Sequence, residues 1–189
     1  MSHLTFRNTV MRTTLKAMSL AALISVIGAA SARAADICFE AEDANQIVKP
    51  FQIDTKAGAS GGHYVVQPLH SGRPPQVKCW ATYKIKIKDA GRYVLWGRAW
   101  WPNGCANSVD MKVDNNSRVT LGQDGTYMRW HWVRVKGKTF ELSAGVHVIT
   151  MVNREDGPGL DEFYLTTDED YVPGGMSAAV TPTPGAIVK

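Results

Sequence analysis

YKIKIK, residues 83–88, alternates Tyr83, Ile85 and Ile87 with Lys84, Lys86 and Lys88. A period of two is what a β-strand with one buried and one solvated face requires. VDMKVD (109–114) repeats the alternation, and Val133 and Val135, then Val146, Val148 and Val152, continue it further along the chain. Helical spacing is nowhere sustained. Turn signals such as Asp89-Ala90-Gly91, Pro102-Asn103-Gly104, Asp124-Gly125, Ala144-Gly145 and Asp156-Gly157-Pro158-Gly159 separate the runs, at intervals of about ten residues. The reading is all-β: about eight to nine short strands between Ile37 and Thr167, joined without crossing helices into an antiparallel sandwich or jelly roll.

Ahead of that region, Arg7, Arg12 and Lys16 precede an uncharged run from Ala17 to Ala30, which ends in Ala32-Arg33-Ala34. A basic start, a short apolar run and a small-x-small triplet together describe a secretory signal peptide cleaved after Ala34. The run falls short of the roughly 20 residues a membrane-crossing helix needs. The expected product is therefore secreted or periplasmic, without a membrane span. Removing Arg7, Arg12, Lys16 and Arg33 brings the 21 basic residues down to 17, equal to the 17 acidic ones. The sequence pI near 9.0 thus belongs to the leader, and nothing in the net charge favours nucleic acid or an anionic membrane as partner. A polar, neutral ligand suits it better. Residues 35–173 are expected to form the sandwich, and the Gly, Ala, Pro and Thr of residues 174–189 a disordered tail.

Cys38, Cys79 and Cys105 would enter an oxidising compartment, where three single bridges are open to them, each leaving one thiol over. Cys79 with Cys105 is the favoured pairing. The spacing fits no zinc pattern.

Two stretches stand out chemically. Glu40 and Glu42 in FEAED (39–43) lie at i and i+2 on one strand face, where they repel unless a cation sits between them. Hard carboxylate oxygens suit Ca²⁺, and Asp161 in LDEFYL (160–165) is a third acid that could complete the shell. The alternative is a pair of solvated acids. In VLWGRAWWP (94–102), Trp96, Arg98 and Trp100 share one strand face while Leu95, Gly97, Ala99 and Trp101 share the other, and the second set is sized for a core. An aromatic ring flanked by planar polar groups offers what a sugar needs, a surface for its C–H face and partners for its hydroxyl rim. Packing alone would also explain the tryptophans, Trp130 and Trp132 among them. Gly58-Ala59-Ser60-Gly61-Gly62 satisfies the hydrolase elbow pattern, but a strand follows it and no helix is available, so Ser60 is read as part of a glycine loop and not as a nucleophile. Asn153-Arg154-Glu155-Asp156-Gly157 is a polar cluster at a sandwich rim.

Taken in order, FEAEDA, AGASGGHYV, YKIKIKDAGRYVLWGRAW, NSVDMKVD, WHWVRV, LSAGVHVITMVNREDG and LDEFYLTTD resemble the β-sandwich carbohydrate-binding modules of families 6 and 35. The resemblance runs from Phe39 to about Pro173. It implies a two-sheet jelly roll, a structural Ca²⁺ held by Glu40, Glu42 and Asp161, and a ligand site at one edge of the sandwich. The matching edge segments are Trp100 to Asn107, Gly61 to Tyr64, and Asn153 to Asp156. Implied ligand residues are Trp100 or Trp101 for stacking, with Tyr64, Arg98, Asn107, Arg154 and Asp156.

The leading expectation is accordingly a non-catalytic, lectin-like module for a polysaccharide or glycan. An extracellular or envelope protein using the same sandwich to hold a protein partner is the alternative. A glycosidase would need two carboxylates facing each other across an open cleft, and Glu40 and Glu42 are better explained by the cation.

Overall fold

A computed structural model describes Met1 and residues 34–189. The expected signal peptide, apart from its two end residues, lies outside the described residues. Twelve strands follow: β1 (Ile37–Glu40), β2 (Gln46–Ile47), β3 (Gln52–Thr55), β4 (His63–Val66), β5 (Trp80–Ile87), β6 (Gly91–Trp100), β7 (Ser108–Val113), β8 (Val119–Gly122), β9 (Trp130–Arg134), β10 (Phe140–Leu142), β11 (Gly145–Asn153) and β12 (Gly159–Thr166). The surplus over the expected number comes from β2, β3, β8 and β10, which have two to four residues each. Strands that short hold too few alternations to register in sequence.

The strands form two antiparallel sheets. One runs β2-β5-β11-β7-β8. The other runs β10-β6-β12-β4-β3, with β9 added beside β6 and β1 beside β12. Tyr83, Ile85 and Ile87 point between the sheets and are buried, whereas Lys84 and Lys86 stand exposed, as the alternation requires. They meet Met111, Ile149, Met151, Phe39 and Phe163 in one core. Phe39, Tyr83 and Phe163 form a triangle with centroids 5.1–5.4 Å apart. Each such side chain, fully buried, is worth roughly 1.5–3 kcal/mol of transfer free energy. On β6 the residues sized for a core do face it. Gly97 is needed there because a Cβ would stand 2.7 Å from Leu121 Cδ2 and 3.1 Å from Leu160 Cδ1.

The outer face of β6 is not solvated either. Val94, Trp96, Trp132, Tyr164 and Cys38 form a second apolar cluster there, covered by Tyr171 and Val180. This corrects the expectation of a disordered tail at residues 174–189. Ala178 carbonyl accepts from Trp132 Nε1 at 2.8 Å, and Ser177 carbonyl accepts from Arg98 Nε at 3.0 Å. Further on, Thr183 N–H donates to Cys38 carbonyl at 2.8 Å, Lys86 N–H to Ala186 carbonyl at 2.9 Å and Val188 N–H to Lys84 carbonyl at 2.8 Å. Ile187 forms a bridge with Ile85, and Ala186 is buried in the main core. The tail is poor in side chains to bury, but its backbone satisfies groups that β1, β5 and β9 would otherwise leave open.

The disulfide expectation is corrected as well, since all three cysteines are free. Cys38 is buried in β1 and Cys79 sits buried beside Gln67, while Cys105 is exposed in the β6–β7 loop. Burial pushes the Cys79 thiol up to about 11.

Candidate functional site

β3 and β4 pair antiparallel along the edge of the seven-stranded sheet, and the end of β6 reaches the same corner. Together they line an open groove of about 320 Å³. Gln52, Asp54 and Lys56 supply its polar wall, Tyr64 and Trp100 its aromatic one, and Leu69 and Met128 its apolar rim. Trp130 stands behind the aromatics, edge-on to Tyr64 at 5.5 Å and to Trp100 at 5.6 Å between centroids. Its Nε1 donates to Ala57 carbonyl at 3.0 Å, which fixes the ring. Lys56 Nζ lies 4.1 Å from the Trp100 ring centroid, a cation–π contact. Tyr64 can lie flat over β12 because residue 159 is glycine: a Cβ there would stand 2.6 Å from the tyrosine ring. Burial raises the Tyr64 hydroxyl above its ordinary value, with the Asp54 charge adding to the effect.

Of the residues expected at the ligand site, Tyr64 and Trp100 are brought together here. Trp101 is not. It is fully buried in the core, with its Nε1 donating to Asp124 at 3.0 Å, because one step along β6 reverses the side-chain direction. Arg98 is buried beneath the groove, not in it. Its guanidinium pairs with Asp161, donates to Gly58 carbonyl at 3.1 Å and lies 5.3 Å from the Trp130 centroid. Asn107, Arg154 and Asp156 tie loops to one another. Asn107 N–H donates to Glu155 at 2.7 Å, Arg154 donates to Ser108 Oγ and to Glu155, and Asp156 accepts from His70 N–H at 2.7 Å and pairs with Arg73 at 3.2 Å. None of the three lines the groove. Gln52, Asp54 and Lys56 do line it and were missed. FQIDTK (51–56) places them at alternate positions, which was a signal, but nothing local says that this strand lies against Trp100.

Glu40, Glu42 and Asp161 share one neighbourhood below the glycine loop. Ser60 Oγ donates to Glu40 Oε1 at 2.7 Å, and Ser60 N–H to Asp161 Oδ1 at 3.0 Å. Glu40 Oε2 and Glu42 Oε2 are buried without a hydrogen-bond partner. Desolvation, with added repulsion from Glu40 and Asp161, pushes the Glu42 carboxyl up to about 8. Glu40 is also raised, by desolvation first, against the lowering effect of its Ser60 bond. Two orphaned carboxylate oxygens fit a cation. Asp161 differs from the expected ligand set, since Arg98 and Ser60 already engage both its oxygens. Among the described residues, no three His, Cys, Asp or Glu side chains are gathered into a ready metal cage.

No protein-family model matches the chain. It is 30% identical over 122 residues to a protein named Uncharacterized protein P23 from Formosa agariphila, a match covering 54% of this chain and 28% of that protein. The chain thus spans under a third of its relative's length. Among solved structures it is similar to a β-(1,4)-mannanase of Podospora anserina that carries a family 35 module, with a TM-score of 0.56 and 20% identity over 73% of this chain and 29% of that one. A family 35 carbohydrate-binding module from Clostridium thermocellum gives a TM-score of 0.53 at 22% identity, covering 71% of this chain and all of that one. The C-terminal family 6 module of a Zobellia galactanivorans laminarinase gives 0.52 at 16%, covering 70% and 99%. At these identities the likenesses establish the fold.

Proposed function

We propose that this chain, with the fold of the family 6 and 35 carbohydrate-binding modules, is a non-catalytic module acting outside the cytoplasm, which holds a polysaccharide or glycan in the groove between β3, β4 and the end of β6. The observation that carries this is the half-exposed ring of Trp100 beside Tyr64, opposite the hydrogen-bonding side chains of Gln52, Asp54 and Lys56. An apolar ring suits the C–H face of a sugar, and the facing polar groups suit its hydroxyls. Lys56 would turn from the ring to a hydroxyl when ligand enters. Binding without catalysis is supported by Asp54 being the one carboxylate among the described groove-lining residues, where glycoside hydrolysis uses a facing pair.

A structural Ca²⁺ belongs to the same reading. Glu40 and Glu42 would hold it through their unpartnered oxygens, with Asp161 as the neighbouring acid. The ion would neutralise carboxylates that burial disfavours as anions. A second reading, a docking surface for an extracellular or envelope protein, draws on the exposed apolar side chains Ile53, Leu69 and Met128 near the groove.

A glycan array with the purified protein, run with millimolar Ca²⁺ and again with chelator, tests the proposal. Binding to a glycan class is expected, weakened at least about tenfold by Trp100→Ala, the loss of roughly 1.4 kcal/mol. A blank array from folded protein would overturn the sugar reading and leave the protein-partner one.

A further inference from the structure

The five-stranded sheet turns its outer face to solvent on the opposite side of the core from the groove. At the start of β5, Trp80 is 36% exposed, unusual for the largest side chain on a strand whose alternate positions are otherwise hydroxyl or lysine. Trp80, Thr82, Thr150, Val152, Lys112 and Arg118 surround a shallow hollow of about 280 Å³. The register places the parts. Trp80 stands opposite Val152 and Thr82 opposite Thr150, and Thr150 in turn stands opposite Lys112. One row across three strands therefore reads hydroxyl, hydroxyl, ammonium, with the indole at its flank. Along β5 the same face continues through Lys84 and Lys86, extending the basic strip to about 20 Å at roughly 3.3 Å per residue.

The cations of this strip are uncommitted. Lys84, Lys86, Lys112 and Arg118 have no carboxylate within ion-pair distance among the described residues. Two carboxylates border it, Asp110, which accepts from Thr120 at 3.0 Å, and Asp114, which holds His147 at 2.7 Å, and the four cations outnumber them. Four free positive charges, an exposed indole and two hydroxyls on a flat surface combine a stacking platform with anion recognition.

We propose that this face is a second binding site, separate from the groove and specific for a polyanionic polysaccharide, whose sugar rings stack on Trp80 while their anionic groups meet Lys112, Arg118 and the β5 lysines. Free carboxylates and sulfate half-esters, both anionic, share the chemistry the strip recognises. The site does not depend on the groove's binding a sugar.

Native affinity electrophoresis of the full protein separates the possibilities, using gels containing alginate for carboxylate, carrageenan for sulfate, or galactomannan as an uncharged comparator. Retardation by alginate or carrageenan is expected at low salt, reduced at high salt. Trp80→Ala and the double variant Lys112→Ala/Arg118→Ala should each weaken it at least tenfold. Lys138→Ala, which removes an exposed lysine from the β9–β10 turn, should leave it intact. Retardation in only one polyanion gel would assign the anion to that class. The proposal is overturned by the absence of retardation in both polyanion gels, by variants that run as the native protein does, or by Lys138→Ala weakening binding as much as the double variant. Because Trp80 is exposed and the double variant removes only surface charge, loss of folding does not confound both; unchanged melting temperatures confirm it.

Discussion

His147 faces acceptors with both ring nitrogens, Nδ1 at 2.7 Å from Asp114 and Nε2 at 2.8 Å from Ser143 carbonyl. A neutral imidazole has one N–H to give, so both bonds are made only by the protonated ring. Desolvation works against that charge, but the Asp114 and Ser143 bonds and the Asp114 charge outweigh it, and the group is raised above 6.5. A cationic group raised on folding stabilises fully below its unfolded value and loses the contribution as pH rises through its folded value. His147→Gln should therefore lower stability at pH 5.5, by under about 1 kcal/mol for a pair whose carboxylate is partly solvated, with the gap to the native protein closing as pH rises above 6.5. Urea titrations across that range check it. The neighbouring tryptophans show a sharper contrast at the same scale. Trp101→Ala should cost about 3–5 kcal/mol of stability, read by denaturant midpoint, whereas Trp100→Ala should spend its effect on binding. Strand alternation made the difference between these two residues legible in sequence; the family resemblance, which allowed either, blurred it.

At the scale of elements, β5 and β7 were readable because each buries one face, and the tail was not, because it contributes mostly backbone hydrogen bonds and a few scattered apolar side chains, Val180, Ala186 and Ile187. Alternation in β5 and the core-sized set on β6 follow from side-chain chemistry at every second position. Residues 174–189 offer almost none, yet their carbonyls receive the indole of Trp132 and the guanidinium of Arg98. Ending the chain at Pro173 should uncover Trp96, Trp132 and Tyr164 and lower stability by at least about 2 kcal/mol, since buried donors lose their acceptors along with the apolar cover. Calorimetry and increased binding of a hydrophobic dye would show both effects. The groove was half legible for the opposite reason. Trp100 and Tyr64 announce themselves as aromatics on strands, while Gln52, Asp54 and Lys56 acquire meaning only once β3 is laid beside β4.

For the whole molecule, overall charge was a true but incomplete guide. Residues 34–189 balance in charge, yet the balance conceals a face where cations outnumber acids and an interior where acids stand together. The second arrangement yields a stability test. With chelator the protein should melt several degrees lower than with millimolar Ca²⁺, at roughly 2–4 °C per kcal/mol for a chain of this size. Glu42→Gln should abolish the difference while removing the repulsion that causes it. An identical melting temperature with and without Ca²⁺ would instead assign the Glu40–Glu42 cradle to protons.

The pairing of β1 has one more implication. Ile37 to Glu40 find their strand partners at Leu165 to Glu162, and Cys38 meets Thr183. A chain is made from its amino end, so the first strand emerges from the ribosome, or from a translocation channel, long before anything exists for it to pair with. Closure of the sandwich must await β12 and Thr183, and until then β1 is an open edge exposed to wrong pairing.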